Sequence, residues 1–405
     1  MVSKRKKTLK VVGIILISWL YAFVFAALVT SCSNDDDHLG GSRGERTASL
    51  RLTIAGAKAG QTRATGNALP DDEGTIHRLT IGLFFTDGTV NTVVEPEITV
   101  DNTTGSVGVQ GILCSPGTCD VIVVANAPEG TFEGVQTKNE FIGKNVSLVQ
   151  TVRDGQQASD LLPMSGASAA PIVLEAGKSV SASVSLSRLV ARISIAGIRS
   201  DFSVNYVGAT FTLDRIFLCN ALESCKVAPG DVTQTMPAHP TWIHGGWTKE
   251  QPDGSFLWTE GAGFLLNDVT PEEGVVITSD EYKVPYWFYA FANNDEANRT
   301  KIVLSGYFDP DGAAGPKEPV YVYYPIVVNQ SQNGTVIKPS GSTQAGVTAG
   351  VGDGSIARNR DYRIRAVIKG DGETNPGDDV VPGNLELTVS VDDWTLMITQ
   401  EVELN

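Results

Sequence analysis

Apolar residues recur at every second position in run after run of this chain, and the runs are short and close on Gly, Asn or Asp turns. A period of two belongs to strands that bury one face, and no other feature restricts the fold as much. Leu79, Ile81, Leu83 and Phe85 alternate with Thr80, Gly82 and Phe84, and Asp87-Gly88 then supplies a hairpin-type turn. Val121-Ile122-Val123-Val124-Ala125 is apolar throughout, as expected of a strand covered on both faces. Val180, Ala182, Val184 and Leu186 alternate with Ser181, Ser183 and Ser185. Past Ser187-Arg188 the parity inverts, and Leu189, Ala191, Ile193 and Ile195 become the apolar set. A shift of one residue sends every side chain to the opposite face, so a domain boundary is expected there. Tyr286 to Phe291, Val320 to Val328 and Tyr362 to Ile368 predict further strands, while helical periodicity is nearly absent. Many short strands joined by tight turns predict an all-β chain built of sandwiches.

The N-terminus reads as an export signal. Lys4, Arg5, Lys6, Lys7 and Lys10 precede an apolar stretch from Val11 to Leu28, and Leu28-Val29-Thr30-Ser31-Cys32 places a cysteine directly after small residues. That run matches a bacterial lipobox, in which the Cys32 thiol is lipidated and residues 1–31 are removed. A single membrane anchor and a plain secretory signal are the other readings of the same stretch. The chain carries 31 basic and 46 acidic residues; residues 1–31 hold five basic and no acidic ones, so the mature part has 26 against 46, a net of −20. Such a surface repels nucleic acid and anionic headgroups, and nucleic acid is excluded as a partner. The length beyond Cys32 exceeds one ordinary core and predicts two domains.

The other cysteines form two close pairs, Cys114/Cys119 and Cys219/Cys225. In an exported chain each pair is a candidate local disulfide, with free buried thiols as the alternative. Zinc is disfavoured, because the spacings are loose and no histidine is near enough to complete a site. Gly177-Lys178-Ser179 ends like a phosphate loop, but Ile172 stands where the earlier glycine belongs and no helix follows. Asp309-Pro310-Asp311-Gly312 lacks the later ligands of a calcium loop and reads as a turn. His239, Trp242, His244 and Trp247 make the one loop with the residue types to bind a metal or stack on a sugar, though Pro237, Pro240, Gly245 and Gly246 also suit an ordinary loop packed by aromatics. No Ser/His/Asp or Cys/His set and no carboxylate pair appears, so catalysis is not expected, and neither cofactor nor metal is implied.

Near the start of the mature chain Leu50, Leu52 and Ile54 alternate with Arg51 and Thr53, and a small-residue stretch from Ala55 to Gly66 follows with Arg63 inside it. Small-residue loops of that kind are where proteases cut. At the other end Leu385, Leu387, Val389 and Val391 alternate. The parity then shifts, and Trp394, Leu396, Ile398, Val402 and Leu404 fall on one face, with Gln400 breaking the series. A long amphipathic strand invites pairing, within its own sandwich or with another chain.

These segments resemble, in order, the fimbrillin family of Bacteroidales-type bacteria, the shaft and accessory subunits of type V pili. The resemblance runs through Ile76-His77-Arg78-Leu79, Val123-Val124-Ala125-Asn126-Ala127, Leu162-Pro163-Met164-Ser165-Gly166, Val184 to Ile193, Arg358-Asn359-Arg360-Asp361-Tyr362 and Val389 to Trp394. Ser33-Asn34-Asp35-Asp36-Asp37, directly after Cys32, resembles the tag that sends lipoproteins of such bacteria to the cell surface. The family implies two tandem transthyretin-like β-sandwiches after the lipoprotein signal, with a lipidated propeptide at 32–63, an N-terminal sandwich at 64–187 and a C-terminal sandwich at 188–405. It implies cleavage between Arg63 and Ala64 by an arginine-specific surface protease, and polymerisation with other pilin subunits through a donor strand carrying Trp394, Leu396, Ile398, Val402 and Leu404. Outer-membrane lipid would be a partner before maturation, and host glycans or proteins afterwards. A tip, adaptor or anchor subunit, or a glycan-binding surface lipoprotein, is the other role such a chain could fill.

Overall fold

The computed structural model describes residues 47–397 apart from 56–57, 60–71, 101–105, 231–234, 247, 250–255, 258–260, 270–273, 284–285, 314, 331–335, 340–351, 379–384 and 394–395. The main strands of its first half begin with β1 (Ala48–Ala55), β2 (Lys58–Ala59), β3 (Leu79–Phe85), β4 (Val90–Val94), β5 (Thr99–Val100), β6 (Ser106–Cys114) and β7 (Gly117–Ala125). One short helix, α1 (Lys138–Ile142), is followed by β8 (Met164–Ala167), β9 (Ile172–Leu174), β10 (Ser179–Ser185) and β11 (Ser187–Arg188). One sheet has the order β10-β1-β6-β5; the second runs β11-β8-β7-β3-β4, with β9 also on β7. Their inner faces enclose a core of Leu50, Leu52, Ile54, Leu79, Ile81, Val107, Val109, Val121, Val123 and Val184. The chain is all-β, and this half is a sandwich whose two layers share one apolar filling.

The second half forms further sheets. Its main strands are β12 (Val190–Ser200), β13 (Thr210–Cys219), β14 (Leu266–Asp268), β15 (Val275–Ile277), β16 (Tyr286–Phe291), β17 (Lys301–Asp309), β18 (Val320–Val327), β19 (Val336–Pro339), β20 (Arg360–Ile368) and β21 (Leu385–Asp393). They form the sheets β16-β12-β20-β21-β19 and β14-β13-β17-β18, with β15 also on β13. Ladder pairing changes over between Arg188 and Val190, whereas packing does not. One cluster joins Phe84, Ile122, Val124 and Phe141 to Val190, Ile193, Phe288, Tyr324 and Ile364, and residues 46–405 form one compact unit.

The outward faces of β3 and β12 explain why. Alternation predicts one buried face for each, yet Leu79 to Phe84 and Val190 to Ile195 are buried on both. The second face of β3 lies under α1, where Phe84 and Phe141 meet edge to face at 5.2 Å. Gly82 is required there, because a Cβ would fall 2.6 Å from the Phe84 ring. In β12 the buried second face carries Arg192 and Ser194, residues that composition would assign to solvent.

Candidate functional site

β1 is the first candidate feature, and its place in the sheet could not be read from its own pattern. It lies between β10, with which it runs parallel, and β6, with which it runs antiparallel. Leu50 stands opposite Val180 and Ile112, Leu52 opposite Ala182 and Val109, and Ile54 opposite Val184 and Val107. All three are fully buried. Across from Arg51 the β6 strand bulges through Gln110 and Gly111, and Gly111 takes a φ of 74° that suits glycine. Among the described residues, β10 has no ladder partner except β1. Withdrawing β1 would leave unpaired backbone on β6 and β10 above an apolar floor.

The second feature is a buried ionic cluster between the two halves, which the sequence did not announce. Arg192 of β12 grips both oxygens of Asp361 in β20, at 3.0 and 2.7 Å, and reaches the Glu73 carboxylate at 2.7 Å. Tyr289 donates its hydroxyl to Glu73 at 2.6 Å, and Arg188 Nε donates to the Glu73 carbonyl at 2.9 Å. Arg363 adds a bond to Asp361 at 2.7 Å, and Gln157 clasps the Tyr289 backbone in both directions. Burial pushes the Glu73 carboxyl up against the opposing pull of Arg192 and Tyr289, and pushes Arg188 down to about 10. The two carboxylates raise Arg192, outweighing its own burial. The charges of Arg192, Glu73 and Asp361 are tolerable this deep because they pair with one another.

Segments far apart in sequence meet around this cluster. Asn126, in the left-handed conformation at φ 57°, donates to the carbonyls of Thr75 and Leu162 and accepts from His77 N. Arg358 donates to Ser165, Ser187 and Ala228. Each motif that carries the fimbrillin resemblance between Ile76 and Tyr362 therefore contributes to one junction. The signal in the sequence was the paired arginine and acid within otherwise apolar strands, Arg188 and Arg192 with Asp361.

The remaining expectations have definite placements. The four cysteines are free buried thiols, so the expected Cys114–Cys119 and Cys219–Cys225 bridges are corrected. Cys114 is directed at the Ala48 carbonyl and Cys119 accepts from Asn91, while Cys219 and Cys225 pack in different hydrophobic clusters. Burial pushes the thiol of Cys219 far up. His244 accepts from Asn220 N at 3.2 Å and is lowered by burial; Trp242 packs on the main core and His239 is exposed. Trp242 and His244 are thus engaged inside the fold, and no group of metal ligands occurs among the described residues. Gly177 is a turn residue at φ 73°, and Asp309 accepts from the backbone of Asp311 and Gly312. Leu396 lies in the last described strand, β22 (Leu396–Met397), which pairs with β2. Cys32, Arg63, Ala64, Trp247, Trp394, Ile398, Val402 and Leu404 lie outside the described residues.

Residues 48–215 match the family of the major fimbrial subunit protein, FimA. The resemblance read from the sequence holds. The fold is similar to that of a fimbrilin, FimA, from Porphyromonas gingivalis, at 20% identity and a TM-score of 0.63 over 87% of this chain and 99% of that one. A candidate cell adhesion protein of Parabacteroides distasonis is similar at 20% identity and a TM-score of 0.62, over 86% of this chain and 99% of that one. Likeness at this identity is likeness of fold. No curated protein matches the sequence.

Proposed function

We propose that this chain is a structural subunit of a surface fimbrium, delivered as a lipoprotein through Cys32, cut after Arg63 and polymerised by strand exchange. The observation that carries the reading is the place of β1, inserted between two strands of the first sandwich and followed within eight residues by Arg63. A cut there severs β1 from the rest of the subunit while leaving its residues seated by contacts alone. Once β1 departs, the slot between β6 and β10 accepts a strand from a second copy by β-augmentation. The apolar series Trp394, Leu396 and Ile398 has the matching period. A contact of this kind is head-to-tail and does not close on itself, so it builds a filament. Glu73, only ten residues beyond Arg63, is clamped by Arg188, Arg192 and Tyr289, so the processed chain stays anchored at that residue. The processed subunit, residues 64–405, carries 21 basic and 42 acidic residues, a net of −21.

Electron microscopy of cells expressing Arg63→Ala, or the chain lacking residues 394–405, tests the reading. Both variants are expected to reach the surface and form no filaments. Normal filaments from Arg63→Ala would refute cleavage as the trigger, and normal filaments from the truncation would refute the C-terminal donor.

A further inference from the structure

We propose that Glu401 of an incoming second copy docks its carboxylate in a cationic pocket at the exit of the β1 slot, fixing the register of the exchanged strand. The inference rests on the strand-exchange reading and adds an anchor to it. A cavity of about 460 Å³ is lined by Ser165, Ser185, Ser187, Arg358, Asn359 and Arg360. The Arg358 guanidinium is held by the carbonyls of Ala228 at 3.1 Å, Ser187 at 3.1 Å and Ser165 at 3.3 Å, and by the Ser165 hydroxyl at 3.3 Å. These groups occupy N–H donors but carry no charge. Among the described residues no carboxylate contacts Arg358, and burial brings it down to about 10. A half-buried cation held only by neutral dipoles favours the arrival of an anion. Donors for that anion are present, because the hydroxyls of Ser185 and Ser187 and the amide nitrogen of Asn359 bond to no described residue.

The ladder sets where an incoming strand would meet this pocket. β1 runs parallel to β10 with Ala55 opposite Ser185, so a strand that takes its place in the same direction leaves the slot beside Ser185. Only one register seats three large apolar residues of the tail and keeps Gln400 out of the core: Trp394, Leu396 and Ile398 in the places of Leu50, Leu52 and Ile54. Thr399 then lies opposite Ser185. Glu401 follows two positions later, about 7 Å on and on the same face as Thr399. Charge agrees with the placement. Residues 394–405 hold Glu401 and Glu403 and no basic residue, and the subunit as a whole is strongly acidic, so an arginine-lined pocket is a rare favourable target for this tail.

The test uses the full chain cut after Arg63 and a fluorescent peptide of residues 394–405, amidated at its C-terminus so that only side-chain carboxylates remain. Glu401→Gln is expected to weaken peptide binding about tenfold, and Glu403→Gln to change it less than about twofold. Binding of the unaltered peptide should fall with added salt. Ser185→Lys in the chain, an exposed position, should tighten binding of the unaltered peptide but not of the Glu401→Gln peptide. Ile398→Asp reports on strand exchange itself and should abolish capture. If Glu401→Gln binds like the unaltered peptide while Ile398→Asp does not bind, the pocket is wrong and strand exchange stands. Failure of the unaltered peptide to bind, or equal binding of Ile398→Asp, would overturn both.

Discussion

Weakening the hold of β1 without touching the cut site is the sharpest probe of strand exchange. Leu52 is the central inward residue of β1, fully buried between Ala182 and Val109. Leu50, Leu52 and Ile54 together contribute roughly 5–9 kcal/mol of gross apolar burial, at about 1.5–3 kcal/mol each. Replacing Leu52 by Ala removes about 2–5 kcal/mol through lost transfer energy and the cavity left behind. In the intact precursor this loss lowers the stability of the whole sandwich. After cleavage it falls on the bound fragment alone, and at about 1.4 kcal/mol per factor of ten a loss near 3 kcal/mol is roughly a hundredfold weaker hold. Release of the N-terminal fragment from the cut full-length chain, followed by size-exclusion chromatography over time, should accelerate accordingly, and filament growth should start earlier. Arg51→Ala is the control, since Arg51 points to solvent and should leave release nearly unchanged. Equal release from Leu52→Ala and Arg51→Ala would mean that β1 is not the plug, and the strand-exchange argument would fail with it.

Two further outcomes follow from the interior. Glu73→Ala removes the carboxylate that pairs with Arg192 and accepts from the Tyr289 hydroxyl, so urea unfolding should show a loss of about 3–5 kcal/mol; a change within about 0.5 kcal/mol would remove the cluster from the fold's support. The thiols of Cys114, Cys119, Cys219 and Cys225 should resist alkylation in the folded protein and all react after non-reducing denaturation, read by mass spectrometry; a pair that stays unreactive once unfolded would be a disulfide.

The alternating runs determined much of the molecule on their own. Strand period, turn residues and the parity change near Ser187 are local properties, set by side-chain direction along an extended backbone, and they stated an all-β chain and the segments that form its strands. The inward set Leu50, Leu52 and Ile54 was legible for the same reason. Which strands β1 would separate was not, because ladder partners such as Ser179–Ser185 and Ser106–Cys114 are chosen by pairing across long stretches of sequence. Burial on both faces of β3 and β12 was equally invisible, since a second covered face depends on α1 and on the other half of the molecule. The polar cluster of Glu73, Arg188, Arg192, Tyr289 and Asp361 is the clearest case. In sequence these are charged and aromatic residues spread over almost three hundred positions, and composition assigns the charges to solvent. Only the tertiary structure brings them within hydrogen-bond reach, where paired charges offset one another's desolvation, and so decides that Glu73 belongs to the core.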